Sequence, residues 1–180
     1  MKRQIVLLRG VNLASRNRVA MPELRSALHE AGFPDVATYL QSGNAVVSSA
    51  ESPESVARRV REVIATRFGL DIAVVVRSRE EMAAVIRLNP LGAVAADPRR
   101  YLVTFLSRAL TKTTLAQLSG LVSEERFATA GLEIYSWHPD GVTATPLWNR
   151  LASRSLGVEA TSRNWTTVTR LLAMADETGR

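Results

Sequence analysis

Arg9, Asn12 and Asn17 follow a continuous apolar run, Ile5-Val6-Leu7-Leu8, and precede the helix-opening residues Met21-Pro22. A guanidinium is a permanent cation, carboxamides both donate and accept hydrogen bonds, and the first turn of a helix presents unpaired N–H groups. Together they suit a phosphate or carboxylate. A second group, Gln41, Ser42 and Asn44, surrounds Gly43 in what reads as a tight turn. The alternative task for both groups is structural, with Arg9 and the amides tying two loops together, and ordinary turn chemistry favours it slightly. Arg163, Asn164 and Trp165 form a third candidate group. Trp165 could stack a base or a sugar beside Arg163, but Val168, Leu171 and Leu172 follow at helical spacing and favour a core anchor.

Other chemistry is thinly represented. His138 falls in Trp137-His138-Pro139-Asp140-Gly141, which reads as a turn that the histidine decorates, and His29 lies mid-helix beside Glu30. Ser42 has no nucleophile elbow around it and neither histidine has a recognisable partner. No spacing singles out a carboxylate pair. With no cysteines and two isolated histidines, disulfides and Cys/His metal sites are excluded, and neither a metal nor a cofactor is expected. The residues lean away from an enzyme.

The elements that must position these groups follow from periodicity. The run at 5–8 has the continuous apolarity of a strand covered on both faces. Met21, Leu24, Ala27, Leu28 and Ala31 recur at helical spacing, with Gly32 as the closing cap. Residues 35–40 and 45–49 read as strands of a hairpin around 41–44. Ser52-Pro53-Glu54 opens a second helix that Gly69 ends, and 71–77 is a strand. The order β-α-β-β-α-β is that of a ferredoxin-like unit. In that topology the end of the first strand and the turn at 41–44 share one edge, which brings the first two groups together.

Ser78 and Glu81 form a capping box for a connecting helix stopped by Asn89-Pro90. The same order then repeats: strand 101–107, helix 111–119, hairpin strands 126–130 and 132–137, helix 146–156 and a short strand 158–161. Asn164 caps a final helix. The chain is therefore expected to be α+β, two ferredoxin-like halves packed together with a connecting helix and a C-terminal helix, divided as 1–90 and 91–180 with a linker near 91–98.

At 180 residues and 46% hydrophobic, the chain can bury a core. The net charge is +6, with 13 basic against 9 acidic residues in 1–90 and 10 against 8 in 91–180. Neither half is a basic arm, so at most weak, non-specific binding of nucleic acid is expected. The first strand (5–8) and the third (45–48) also lack the stacking aromatics of an RNA-recognition sheet. The short apolar run at the start is neither a signal peptide nor a membrane span, which fits a cytoplasmic protein with no membrane partner.

Four motifs in order carry a family resemblance: Leu7-Leu8-Arg9-Gly10-Val11-Asn12, Met21-Pro22-Glu23-Leu24-Arg25, Tyr39-Leu40-Gln41-Ser42-Gly43-Asn44 and Arg163-Asn164-Trp165-Thr166-Thr167-Val168. Over about the whole chain the sequence resembles the bacterial family named domain of unknown function 1697. The resemblance implies an α+β fold and supplies no catalytic residues. The chain departs from the family pattern at Ala14-Ser15, where a glycine pair is usual, at Thr166, which replaces an asparagine, and at Thr143-Ala144-Thr145-Pro146, which replaces a segment that usually holds Ser-Lys. The reading that follows is a binding protein for a small anionic or nucleotide-like ligand. Its alternative is a nucleic-acid-associated or protein-interaction module, with room for a homodimer.

Overall fold

The computed structural model describes residues 1–13, 17–143 and 145–177. The departures at Ala14, Ser15 and Ala144 therefore lie outside the described residues.

The first sheet has the order β2-β3-β1-β4, from β1 (Lys2–Leu8), β2 (Ala37–Tyr39), β3 (Asn44–Ser49) and β4 (Val74–Ser78). All its neighbours are antiparallel, so β1 and β2 run parallel on either side of β3. Helices α1 (Met21–Glu30) and α2 (Pro53–Phe68) make the crossovers. The order and directions are those of the ferredoxin-like unit expected from the element pattern.

Local chemistry explains most of the boundaries. The Ser52 hydroxyl accepts from the Ser55 N–H (3.3 Å), Pro53 occupies the first turn of α2, and Gly69 ends it at φ 65°. The strand β2 is shorter than expected because Asp35 (φ 54°) and Leu40 (φ 55°) take left-handed conformations that break the extended chain on both sides. Helix α1 stops at Glu30, and Gly32 (φ 86°) turns the chain beyond Ala31.

Val6, Leu8, Ala45, Val47, Val74 and Val76 from the sheet meet Leu24 and Leu28 of α1 and Val56, Val60 and Ile64 of α2 in one buried cluster. A side chain of this size, fully buried, contributes about 1.5–3 kcal/mol. The intervening Ile5, Leu7, Val46 and Val75 are also buried, so the sheet is covered on both faces.

The second sheet repeats the order as β6-β7-β5-β8, from β5 (Tyr101–Leu106), β6 (Arg126–Ala130), β7 (Glu133–Trp137) and β8 (Ala160–Asn164), again antiparallel throughout. Its crossovers are α4 (Lys112–Ser119) and α5 (Pro146–Ala152), the latter followed by a 3-10 turn over Arg154–Leu156. The register matches the first sheet. Leu8 N–H donates to the Gly43 carbonyl (2.8 Å) and Arg9 N–H to Ala73 (2.9 Å); at the same places Leu106 N–H donates to Leu132 (2.9 Å) and Ser107 N–H to Glu159 (2.9 Å).

The last strand was expected at 158–161 and lies at Ala160–Asn164. Gly157 (φ 82°) ends the preceding turn, and the ladder with β5 runs from Ala160, opposite Leu106, to Asn164, opposite Leu102. Arg163, which falls beyond the strand expected at 158–161, is a buried strand residue.

Two helices follow the sheets, α3 (Arg79–Leu88) and α6 (Trp165–Asp176), each capped by the last residue of the strand before it. The Ser78 N–H donates to the Glu81 carboxylate (2.7 Å), and the Ser78 hydroxyl accepts from the Glu81 N–H (3.1 Å). Asn164 Oδ1 accepts from the Thr167 N–H (2.9 Å). By contacts the chain groups into 1–84 with 169–180, and 85–168. The bounds of this grouping fall inside the two capped helices, after Ala84 in α3 and after Val168 in α6. Arg3 donates to the Met174 carbonyl and Arg79 pairs with Asp176 within the first unit, while the Tyr135 hydroxyl donates to the Val85 carbonyl within the second.

Candidate functional site

The loop 9–20 and the turn 40–43 meet at one edge of the first sheet, and Asn12 joins them. Its φ is 54°, and its carboxamide is fully used: Nδ2 donates to the Val19 carbonyl (2.8 Å) and to the Gln41 carbonyl (2.7 Å), while Oδ1 accepts from the Val19 N–H (2.9 Å). Asn17, at φ 49°, donates to the Gly10 carbonyl (3.1 Å) and its own carbonyl receives the Asn12 N–H (3.0 Å). Asn44 is fully buried at the start of β3, and its Nδ2 donates to the Tyr39 carbonyl (3.0 Å) and the Ser42 hydroxyl (2.9 Å).

Gly43 is required here. A Cβ on it would stand 2.5 Å from Val11 Cγ2 and 2.7 Å from Leu8 Cβ, and its φ is +77°. The three asparagines therefore hold the edge in shape. Arg9 lies half-buried at the end of β1, and Gln41, Ser42 and Arg18 are exposed.

The edge also contains the start of α1, which no side chain caps; Ala20 stands at that position and Pro22 in the first turn. By contrast α2, α3, α4, α5 and α6 are capped by Ser52, Ser78, Thr111, Thr145 and Asn164. An uncapped first turn leaves N–H groups and the positive end of the helix dipole facing outward. Glu23 in that turn pairs with Arg67 (3.2 Å).

The third sequence group is arranged differently. Arg163 is buried in β8, donates to the Thr161 hydroxyl (2.7 Å) and the Ser162 carbonyl (2.8 Å), and burial pushes its pKa down to about 10, so it remains a cation at neutral pH. Asn164 is the α6 cap. Trp165 stacks on Tyr101 with centroids 4.7 Å apart, and its backbone N–H donates to the Pro98 carbonyl (3.1 Å). The geometry gives each of these residues a structural task.

His138 departs from the sequence reading. It is fully buried, where a turn decoration was expected. Its Nε2 lies 3.0 Å from the Ser136 hydroxyl and its Nδ1 3.4 Å from the Thr145 hydroxyl. Burial pushes the imidazole pKa down, against the opposing pull of Glu125. Glu125 is itself buried; burial pushes its carboxyl up, but hydrogen bonds from Ser123 and Thr145 outweigh this and the net shift is downward. Glu124, Asp140 and the two Pro residues 139 and 146 complete a cavity of about 220 Å³. The available signal was the strand alternation: Ile134, Ser136 and His138 share one face if β7 is extended by a residue.

Among the described residues, no cluster of three or more His, Asp and Glu side chains is placed to hold a metal ion. No helix among them is long and apolar enough to cross a membrane.

Fold and edge together define an α+β scaffold built on two ferredoxin-like sheets. The family model described as a protein of unknown function (DUF1697) matches residues 1–135, and the chain belongs to that family. It is also similar in structure to the conserved bacterial protein SP0830 from Streptococcus pneumoniae, with a TM-score of 0.80 and 23% sequence identity over 97% of this chain and 98% of that one. That likeness carries the fold. A search of curated proteins finds no match.

Proposed function

We propose that this protein binds a small anionic or nucleotide-like ligand at the edge formed by Arg9, Asn12, Asn17, Gln41, Ser42 and Asn44. The observation that carries the reading is the Asn12 carboxamide bridge to the Gln41 carbonyl, which sets Arg9 and the uncapped start of α1 on one edge. In this reading the residues of the edge take two roles. Asn12, Asn17 and Asn44 spend their amides on backbone carbonyls and on the Ser42 hydroxyl, so they are positioning residues. The Arg9 guanidinium and the first-turn N–H groups are the ligand contacts, supplying charge and direction.

Native mass spectrometry of the freshly purified protein is the test. An adduct whose mass is that of an anionic metabolite, lost in Arg9→Ala, is expected. A charge-assisted contact contributes about 1.5–3 kcal/mol, so affinity should fall roughly tenfold to a hundredfold. A destabilised Arg9→Ala protein that keeps its full load of ligand would remove the edge from consideration.

A further inference from the structure

Among the described residues four strand edges end the two sheets; at two of them a buried arginine folds over an outward carbonyl, and a third is very short. The carbonyls of β4 that bond β1 alternate with those that point away, and Ala73 is among the former. Val76 therefore points outward, and the buried Arg77 folds back to donate to its carbonyl (2.9 Å). In β8 the pattern is the same: Glu159 bonds β5, Ser162 points outward, and Arg163 donates to its carbonyl. At β2 the strand is three residues long, and the Asp35 carbonyl ahead of it is taken by Arg3 (2.9 Å). Short strands and inward-reaching charges are how edges are kept from pairing.

The remaining edge is β6. The Leu132 carbonyl faces β5, so Glu133, Tyr135 and Trp137 face β6 and bond with Ala130, Ala128 and Arg126. Phe127 and Thr129 are left with N–H and C=O groups directed away from the sheet. The strand is five residues long, contains no proline, and has Arg126 as its sole charge; that side chain donates to the Glu124 and Glu125 carbonyls at the strand's start.

We propose that β6 is a self-association edge, pairing antiparallel with β6 of a second copy of this chain about a two-fold axis beside Ala128. The occupant follows from self-complementarity. In this register Phe127 lies opposite Thr129 of the second copy and exchanges both backbone hydrogen bonds with it, and the reverse pair does the same. An aromatic beside a β-branched residue is a favourable cross-strand pair. On the other face Arg126 lies opposite Ala130 of the second copy, with that copy's Glu133 one strand further along the same row and in reach of a long arginine side chain, so opposite charges face each other twice. A contact of this kind falls in the small, reversible class.

Sedimentation velocity of the full chain over a concentration series tests it. The wild type is expected to dimerise reversibly below about 100 µM. Thr129→Pro removes an outward N–H without touching the β7 ladder and should weaken the dimer at least tenfold, whereas Thr38→Pro at the β2 edge should leave it unchanged. Should Thr129→Pro not fold, charge reversal reads the same register: Arg126→Glu or Glu133→Arg alone weakens the dimer, and the two together restore it. A wild type that is monomeric at about 100 µM, or a dimer indifferent to both Thr129→Pro and the charge reversals, overturns the proposal.

Discussion

The two sheets of this protein share strand order, register and the buried arginine that precedes a capped helix, yet they differ at the edge where the first strand ends. In the first sheet the chain runs through residues 9–20 before α1 and through 40–43 between the hairpin strands; in the second the corresponding stretches are only 107–111 and 131–132. The longer loops carry Arg9, the asparagine ties and a helix without a cap. The shorter ones close directly: Thr111 caps α4 by accepting from the Thr114 N–H (3.1 Å), and Ser107 accepts from the Glu159 N–H (3.2 Å). A shared scaffold with unshared loops is the ground on which the proposed ligand edge is set at the first sheet and not the second.

Gly43 against Gly131 is the sharpest test of that difference. Gly43→Ala forces a Cβ into Val11 and Leu8 at a left-handed φ and should cost about 3 kcal/mol in urea unfolding. Gly131→Ala meets nothing closer than the Glu133 carboxylate at 3.9 Å and should cost about 1 kcal/mol. Equal costs would mean that the turn at 40–43 is no more constrained than its counterpart.

Asn12→Ala removes a carboxamide that makes three hydrogen bonds and should cost about 2 kcal/mol, while Ser107→Ala in the second sheet should cost about 0.5–1 kcal/mol. If the two are alike in chemical denaturation, the loop 9–20 is not held by Asn12.

The helix caps are where the sheets should agree. Ser78→Ala and Asn164→Ala each remove the cap that follows a buried arginine, and each should lower stability by about 1 kcal/mol. A clear inequality would break the equivalence of the two strand-to-helix junctions.

What was legible in the sequence was local. The Ser52-Pro53 start, the Ser78–Glu81 capping box, the Asn164 cap and the apolar stripes of the helices depend on neighbours a turn away, and they set the element order and hence the topology. Arg163, beyond the strand expected at 158–161, and His138, expected to decorate a turn, are buried for a common reason. Each is a polar residue that strand pairing carries into the interior, where Thr161, Ser136 and Thr145 satisfy it, and such burial depends on partners brought close by the fold. The asparagine ties were visible as a convergence on one edge, but the bond from Asn12 to a carbonyl of another loop was not.

The smallest effect is in acid. His138 is buried neutral with its pKa below the ordinary 6.5, facing Glu125 and, around the same cavity, Glu124 and Asp140. Above that ordinary value neither state gains a proton there. As pH falls through it, the unfolded chain takes up a proton that the folded chain refuses, so stability falls. The melting temperature should drop by about 2 °C more between pH 7 and 5.5 in the wild type than in His138→Gln, with the first sheet contributing no such histidine. An identical pH profile for the two proteins would remove His138 as the cause.

The central claim, that the first sheet's edge rather than the second's takes an anion, is tested most directly by titrating inorganic phosphate into the labelled protein and following backbone amides by NMR. The account predicts saturable shifts at residues 9–12 and at Met21 and Glu23, lost in Arg9→Ala, with the Lys112–Thr114 amides at the capped start of α4 unmoved. Shifts of equal size at both helix starts, or none at residues 9–12, would contradict it.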